Sequence, residues 1–395
     1  MKHTKIINAM FAAMALVLLS SCGNIHTYDE DLKPYVEDYE PYVTIYEAEE
    51  RGEDEGAQEE TGPWHPANFV DVRQPLYLSD ATPHGYISVR HIEFMNDNLY
   101  GRSPFTYREK EAAAWIVEEL LAMGYDWEDI HVQEFNWNQV SGLATNWGFT
   151  WYDRVEAPRM LGDGQLREGR LSQNVILTVP GQTEQKIIVG AHYDTLPYPG
   201  ASDNASGVAL LLESAQRMLN EDNYHTIVYV FFGAEEIALL GADFYLRTIP
   251  RTQQNNIVMM VNADVLFEGP YFVYGAGYVP AERWWDAGLV PRTNNVTEQV
   301  SRIAQNLYAS HGLDIISYPN NIFRGSDHLP FAWAGHTVVY LAGYDQDDEG
   351  NFILRVLHSP QDCFHYINER WPGKIDTNMR YFSIFLEEIL LARYE

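Results

Sequence analysis

The chain has 395 residues, 46% of them hydrophobic, enough for one large or two ordinary domains with a sizeable core. A formal net charge of −30 excludes binding to nucleic acid through a general basic footprint. Two cysteines, Cys22 and Cys363, exclude a disulfide-stapled scaffold.

At the N-terminus, Lys2 and Lys5 precede an apolar stretch from Ile6 to Leu19. The stretch is too short for a comfortable membrane span and has signal-peptide flanks. Leu19-Ser20-Ser21-Cys22 resembles the bacterial lipobox. This predicts a lipoprotein signal over 1–22 and a lipidated Cys22, a tether without a transmembrane helix. Cys363 is then left without an intrachain partner. Residues 23–62 read as an acidic flexible stalk: from Asp29 to Glu60 lie 14 acidic residues against Lys33 and Arg51, a net of −12. Residues 63–395 read as one folded domain. The expected location is that of an exported lipoprotein, periplasmic or anchored at the outer membrane or cell surface, meeting the membrane through its lipid alone.

Lys110–Met123 carries apolar residues at helical spacing, and Gly124 can stop the helix. Ile130–Phe135 and Asn174–Val179 read as strands, with Pro180-Gly181 as a turn. Lys186–Ala191 is a continuous apolar run, the pattern of a buried parallel strand. Then follow a helix over 205–219, a strand over 226–232, a helix over 237–246 and a strand over 257–261. A helix over 296–310, a strand over 337–341 and a closing helix over 377–392 complete the domain. This alternation predicts an α/β fold, a three-layer α/β/α sandwich with a mostly parallel central sheet. There is no internal repeat and no Gly-x-Gly-x-x-Gly or Walker pattern.

Metal-ligand residue types stand where these strands end. His192 follows the run over 186–191, and Asp203 lies past a Pro/Gly turn before a helix. Glu235-Glu236 and Asp264 follow two further strands, and His358 sits in a late loop. Each has an ordinary structural reading alone: a hydrogen-bonded histidine, an N-cap for Asp203, a dipole match for the glutamates. Together they supply the His nitrogen and carboxylate oxygen that zinc takes, and a shared carboxylate can hold two ions that activate one water. Strand ends are also where open α/β sheets bind ligands. The set reads as a zinc hydrolase.

The motifs Gly-Ala-His-Tyr-Asp-Thr (190–195), Gly-Ala-Ser-Asp-Asn-Ala-Ser-Gly (200–207), Gly-Ala-Glu-Glu-Ile-Ala-Leu-Leu-Gly-Ala (233–242), Val-Asn-Ala-Asp (261–264), Gly-Ser-Asp-His-Leu-Pro-Phe (325–331) and Leu-His-Ser-Pro-Gln-Asp (357–362) occur in this order. With Gly101-Arg102 and Asn174-Val175-Ile176 they resemble the co-catalytic dizinc aminopeptidase and glutaminyl cyclase family, metallopeptidase family twenty-eight of clan MH, across about 85–390. The resemblance implies the zinc aminopeptidase (phosphorylase/hydrolase-like) fold and two zinc ions per chain. It implies that His192 and Asp264 bind one ion, Glu236 and His358 the other, and that Asp203 bridges them. Glu235 is then the general base toward a metal-activated water, and Asp194, two residues from His192 and on the same face of the strand, orients that histidine. A cis peptide at Asp203–Asn204 is also implied. Ser359 and Cys363 stand where the family commonly has threonine.

The implied enzyme is a metallo-aminopeptidase acting on peptides with free N-termini. Asp327, His328 and Trp333 are candidates for a substrate pocket, as are Trp284-Trp285. A single-zinc glutaminyl cyclase is the first alternative, disfavoured by the full carboxylate set. A non-catalytic binding module on the same scaffold is the second, disfavoured because every ligand position is filled. A carboxypeptidase or an amide hydrolase acting on another small substrate also stays open, since fold and metal do not set the leaving group.

Overall fold

The computed structural model describes residues 82–136, 139–140, 171–279 and 291–394. The expected signal segment (1–22), the stalk (23–62), the expected domain start near Pro63 and Trp284-Trp285 lie outside the described residues.

Apolar, β-branched runs make the centre of the sheet. β3 (Thr183–His192), β4 (His225–Phe232), β5 (Ile257–Ala263) and β8 (Val338–Gln346) are parallel neighbours in the order β4-β3-β5-β8. Beyond β4 come β2 (Leu171–Val179) and β1 (Ile130–Asn136), both antiparallel. Beyond β8 come β6 (Tyr271–Gly277), antiparallel to it, and β7 (Ile316–Ser317), parallel to β6. β9 (Phe352–Ile353) pairs antiparallel with the end of β8. The sheet is thus mixed, with a parallel centre.

Side chains alternate across each strand, so one strand feeds two cores. Ile187, Val189 and Ala191 of β3 pack with α1 (Tyr86–Asn98), α2 (Tyr107–Met123), α3 (Ser206–Met218) and α9 (Lys374–Leu391). Ile188 faces the opposite way, into a core with α4 (Leu240–Thr248) and α7 (His328–Trp333). These are the three layers. The outer helices are α6 (Asn295–His311) on the first face, with α5 (Arg251–Gln254) and α8 (Phe364–Arg370) as short connectors. Among the described residues no helix is long and apolar enough to cross a membrane.

Local signals explain several boundaries. The Thr106 hydroxyl accepts from Glu109 N at the start of α2, and Gly124 ends it at φ 107, a cap interaction that contributes about 1 kcal/mol. The helix expected over 237–246 begins only at Leu240, because Ala234, Ala238 and Leu239 take positive φ in the turn before it. The sequence reading gave no element at α1, β6, α7 or α8. In β6 the tight packing is itself the reason for glycine: a Cβ on Gly275 would stand 2.8 Å from Asn321 Cβ. Such a gap in the apolar pattern hides a strand from periodicity.

Candidate metal centre

Because β3, β4 and β5 run parallel, their carboxyl ends meet at one edge of the sheet. His192 is the last residue of β3, and its neighbour Phe232 closes β4 just before Glu235 and Glu236. Asp264 follows β5 and is held to the sheet by donating its N–H to Leu341 O at 3.1 Å. The expected residues that are far apart in sequence are therefore neighbours here.

Asp203 joins two clusters. Its Oδ1 lies 3.2 Å from His192 Nε2, and its Oδ2 lies 3.2 Å from His358 Nε2. On the first side Asp264 Oδ1 is 3.2 Å from His192 Nε2, with Glu235 Oε2 at 4.0 Å. On the second, Glu236 Oε2 is 3.1 Å from His358 Nε2. Two groups of metal-capable atoms result: His192, Glu235 and Asp264, and Asp203, Glu236 and His358.

Surrounding residues fix these side chains. The Asp203–Asn204 peptide is cis. Asp203 does not cap the following helix. Asn204 Oδ1 accepts from Gly207 N at 2.8 Å instead, which leaves the Asp203 carboxylate to the histidines. Asp362 accepts from Ser202 N (2.6 Å) and Asp203 N (3.0 Å), gripping the loop from below. Ser326 donates to Asp264 Oδ2 at 2.7 Å and accepts from Asn262 Nδ2 at 2.7 Å. The loop bearing His358 is held by Glu268, whose Oε2 accepts from Val356 N at 2.7 Å, and by Ser359 Oγ donating to Val356 O at 2.6 Å.

For Asp194 the geometry is divided. Its backbone oxygen, not its carboxylate, sits 3.1 Å from His192 Nδ1, while Oδ1 stands at 3.7 Å. The carboxylate accepts from Glu235 N (3.0 Å) and Glu236 N (3.1 Å). Arg102, fully buried, donates to the carbonyls of Tyr193, Pro199 and Gly200, on the loop between His192 and Asp203. The three pocket candidates are buried. His328 Nε2 donates to Ile322 O at 3.0 Å, and the ring stacks on Tyr340. Trp333 packs with Leu239 and Leu329, and the Asp327 carboxyl is buried with neither oxygen hydrogen-bonded. Sequence reasoning passed over Asn262, Glu268 and Ser326 as individual participants. Asn262 lies in the 261–264 motif and Ser326 in the 325–331 motif, but nothing in the sequence marks Glu268.

Electrostatics follow from this crowding. Burial alone lowers the pKa of His192 and His358, yet both are held well above the usual imidazole range by carboxylates: Glu235 and Asp264 for His192, Glu236 and Asp203 for His358. Burial raises the Asp203 pKa, but the hydrogen bonds of both histidines outweigh it and hold the group low. Burial, partly offset by His192, pushes Asp194 up to about 7 and raises Glu235 well above the usual carboxylate range. Burial pushes His328 down to about 3. An imidazole nitrogen facing carboxylates in a buried site calls for positive charge there.

The donor set fits divalent zinc. Zinc bonds His nitrogen and carboxylate oxygen at about 2.0–2.1 Å in tetrahedral geometry, which sets neighbouring donor atoms about 3.3 Å apart. His192 Nε2 stands 3.2 Å from an oxygen of Asp203 and of Asp264, and His358 Nε2 stands 3.1–3.2 Å from an oxygen of Glu236 and of Asp203. Two such groups sharing the two oxygens of one aspartate form a candidate two-ion centre.

Comparison with known proteins follows the same lines. The profile described as Peptidase family M28 matches residues 174–383. The chain is 28% identical over 185 residues to Aminopeptidase YwaD of Bacillus subtilis, covering 46% of this chain and 37% of that protein. It is 30% identical over 220 residues to the alkaline phosphatase isozyme conversion protein of Escherichia coli, covering 51% of this chain and 57% of that one. The chain thus spans less than two thirds of either relative. Among solved structures, the fold matches a zinc aminopeptidase from Bacillus subtilis with TM-score 0.59 at 17% identity, over 78% of this chain and 96% of that one. It also matches the glutaminyl cyclase of Porphyromonas gingivalis with TM-score 0.53 at 17% identity, over 78% of this chain and 98% of that one. The likeness to these structures establishes the α/β fold.

Proposed function

The chain belongs to peptidase family M28, and from that premise we propose that it is a zinc-dependent exopeptidase, an aminopeptidase that removes N-terminal residues from peptides with free N-termini. The observation that carries this reading is the division of the Asp203 carboxylate between His192 and His358, each with a further carboxylate at 3.1–3.2 Å. In this reading His192 and Asp264 hold one ion, His358 and Glu236 the other, and Asp203 both. When bound, the pair supplies Lewis acidity to a carbonyl oxygen and acidifies water.

This chain's own residues do the rest. Glu235 takes a proton from the attacking water at its carboxylate and returns it to the leaving amine nitrogen. Asp194 fixes the backbone of Glu235 and Glu236 and, through its own carbonyl, the ring of His192. Ser326 and Asp362 keep Asp264 and the Asp203 loop from turning away from the histidines.

The sequence adds a location. Signal 1–22 with lipidated Cys22 and the stalk 23–62 would carry the domain at the end of a lipid tether on an exported protein. Incorporation of labelled fatty acid that vanishes in Cys22→Ala tests this, and unchanged labelling overturns it.

To test the activity, the zinc-loaded chain is incubated with free and N-terminally blocked peptides, some beginning with Gln, and the products are weighed by mass spectrometry. Stepwise loss of N-terminal residues, slowed by roughly 10²–10⁴-fold in Glu235→Ala, is the expected result. Loss of ammonia confined to Gln-starting peptides would make the protein a cyclase. Inert peptides in the presence of bound zinc would remove the peptidase reading.

A further inference from the structure

The backbone from Gly233 to Glu236 is hung from side chains of three separate segments: β2, α2 and the loop after β3. Gly233 N donates to Asn174 Oδ1 of β2 at 3.1 Å. Ala234 N donates to Glu109 Oε1 of α2 at 3.0 Å. Glu235 N and Glu236 N donate to the two oxygens of Asp194 at 3.0 and 3.1 Å. Three successive N–H groups thus point at two buried carboxyls, an arrangement that left-handed backbone permits and that gathers positive potential. Ala234, at φ 54, is the residue whose conformation opens it.

Glu109 is the partner in this set that lies farthest from the site in sequence. It is fully buried. Its Oε2 accepts from Phe105 N at 2.6 Å, and its Oε1 accepts from both Ser172 Oγ (2.7 Å) and Ala234 N. Phe105 N and Ser172 fix the carboxyl in place, so the Ala234 amide meets an acceptor that cannot swing away. A buried carboxyl is a costly way to close a core unless its hydrogen bonds matter. Here one of those bonds lies a single residue from Glu235. Misplacing a catalytic group by about 1 Å can cost two orders of magnitude in rate.

We propose that Glu109 is a positioning residue for Glu235: by holding the Ala234 amide it sets where the turn presents the base. The inference rests on the reading of Glu235 as general base given under Proposed function.

The test uses the full zinc-loaded chain and three variants, Glu109→Met, Glu109→Gln and Glu109→Asp, each also made in a Glu235→Ala background. Four quantities are read: kcat, KM, zinc content, and amide hydrogen exchange over 233–236. In Glu109→Met, kcat is expected to fall by about tenfold or more with KM within about threefold. Zinc content is retained, and the Ala234 amide exchanges faster. Across the three variants the loss of kcat follows the exchange of that amide. In the Glu235→Ala background the same substitution changes the residual kcat by less than about twofold, because the group it positions is gone.

A variant with a freely exchanging Ala234 amide and unchanged kcat overturns the proposal. So does an equal loss of kcat in both backgrounds, which marks a merely structural role. If Glu109→Met does not fold, the Gln and Asp variants carry the same comparison. Full activity of Glu235→Ala alone would instead sink the base assignment, whatever the Glu109 variants show. Rapid exchange of the Ala234 amide in the unsubstituted chain would sink the hold itself.

Discussion

The two halves of the candidate centre are built differently. His192 ends a central strand, is 1% exposed, and has its ring fixed from behind by the Asp194 carbonyl. His358 is 29% exposed and stands at φ 53 in a loop that owes its shape to Glu268, Ser359 and Asp362. One half is positioned by the sheet, the other by a loop tied down with side-chain hydrogen bonds. Sheet ladders are cooperative and survive the loss of one contact, whereas a tied loop depends on each tie. The deep half should therefore be the more robust toward its supports and the rim half the more easily emptied.

Substituting the residue common to both halves gives the largest effect. Asp203→Ala is expected to empty both, with activity falling beyond the roughly 10²–10⁴-fold expected for loss of the general base in Glu235→Ala. Metal analysis separates the two variants, since Glu235→Ala should keep both ions. If Asp203→Ala retains full zinc, the bridging assignment is wrong.

Next come the histidines singly. His358→Ala should release one ion and leave thermal stability nearly unchanged. His192→Ala should lose its ion and also destabilise the fold, because it opens a cavity among buried groups. Equal melting temperatures for the two variants would erase the distinction between halves.

A smaller effect is expected from the supports. Asp362→Asn should weaken zinc binding by about 10–100-fold and touch both ions through Asp203, while Ser326→Ala should act by a similar or smaller factor on the Asp264 side alone. Competition with a chelator, followed ion by ion, reads this out.

The smallest effect is on acid stability. His328 lies behind the deep half and is held neutral down to about pH 3. Folded, it binds fewer protons than when unfolded, so it contributes stability that is present above about pH 6.5 and is lost as the pH falls toward 3, with a limiting slope of about 1.4 kcal/mol per pH unit. His91, buried in α1 and pushed down to about 4, has the same sign far from the centre. His328→Phe should remove one share of the acid slope and leave that of His91. An unchanged slope in chemical denaturation between pH 6.5 and 4 would contradict this.

Much of this was legible without coordinates. The apolar runs before His192, Glu235 and Asp264 announced buried strands because parallel strands bury both faces, and such strands aim their ends at one edge. What periodicity missed has physical reasons. α7 is short and buried all round, so it has no amphipathic stripe to read. β6 is interrupted by glycine where Asn321 packs against it. The Asp194 carboxylate, expected at His192, lies 3.7 Å from its Nδ1 and also takes the amides of Glu235 and Glu236, since spacing of two on a strand says which face a residue takes but not which further neighbours it meets.

The alternating α/β order and the residue types standing where strands end follow from the amino-acid pattern, because burial of apolar strands and turn chemistry are local and leave a periodic trace. Packing of the layers is what divides the two oxygens of Asp203 between two histidines, lets Glu268 and Asp362 tie the loops of the rim half, and brings Glu109 to Ala234 across 125 residues of chain. Those are single polar contacts between distant segments. A buried carboxyl's partner is set by where the packed layers bring an N–H, and no local pattern records that.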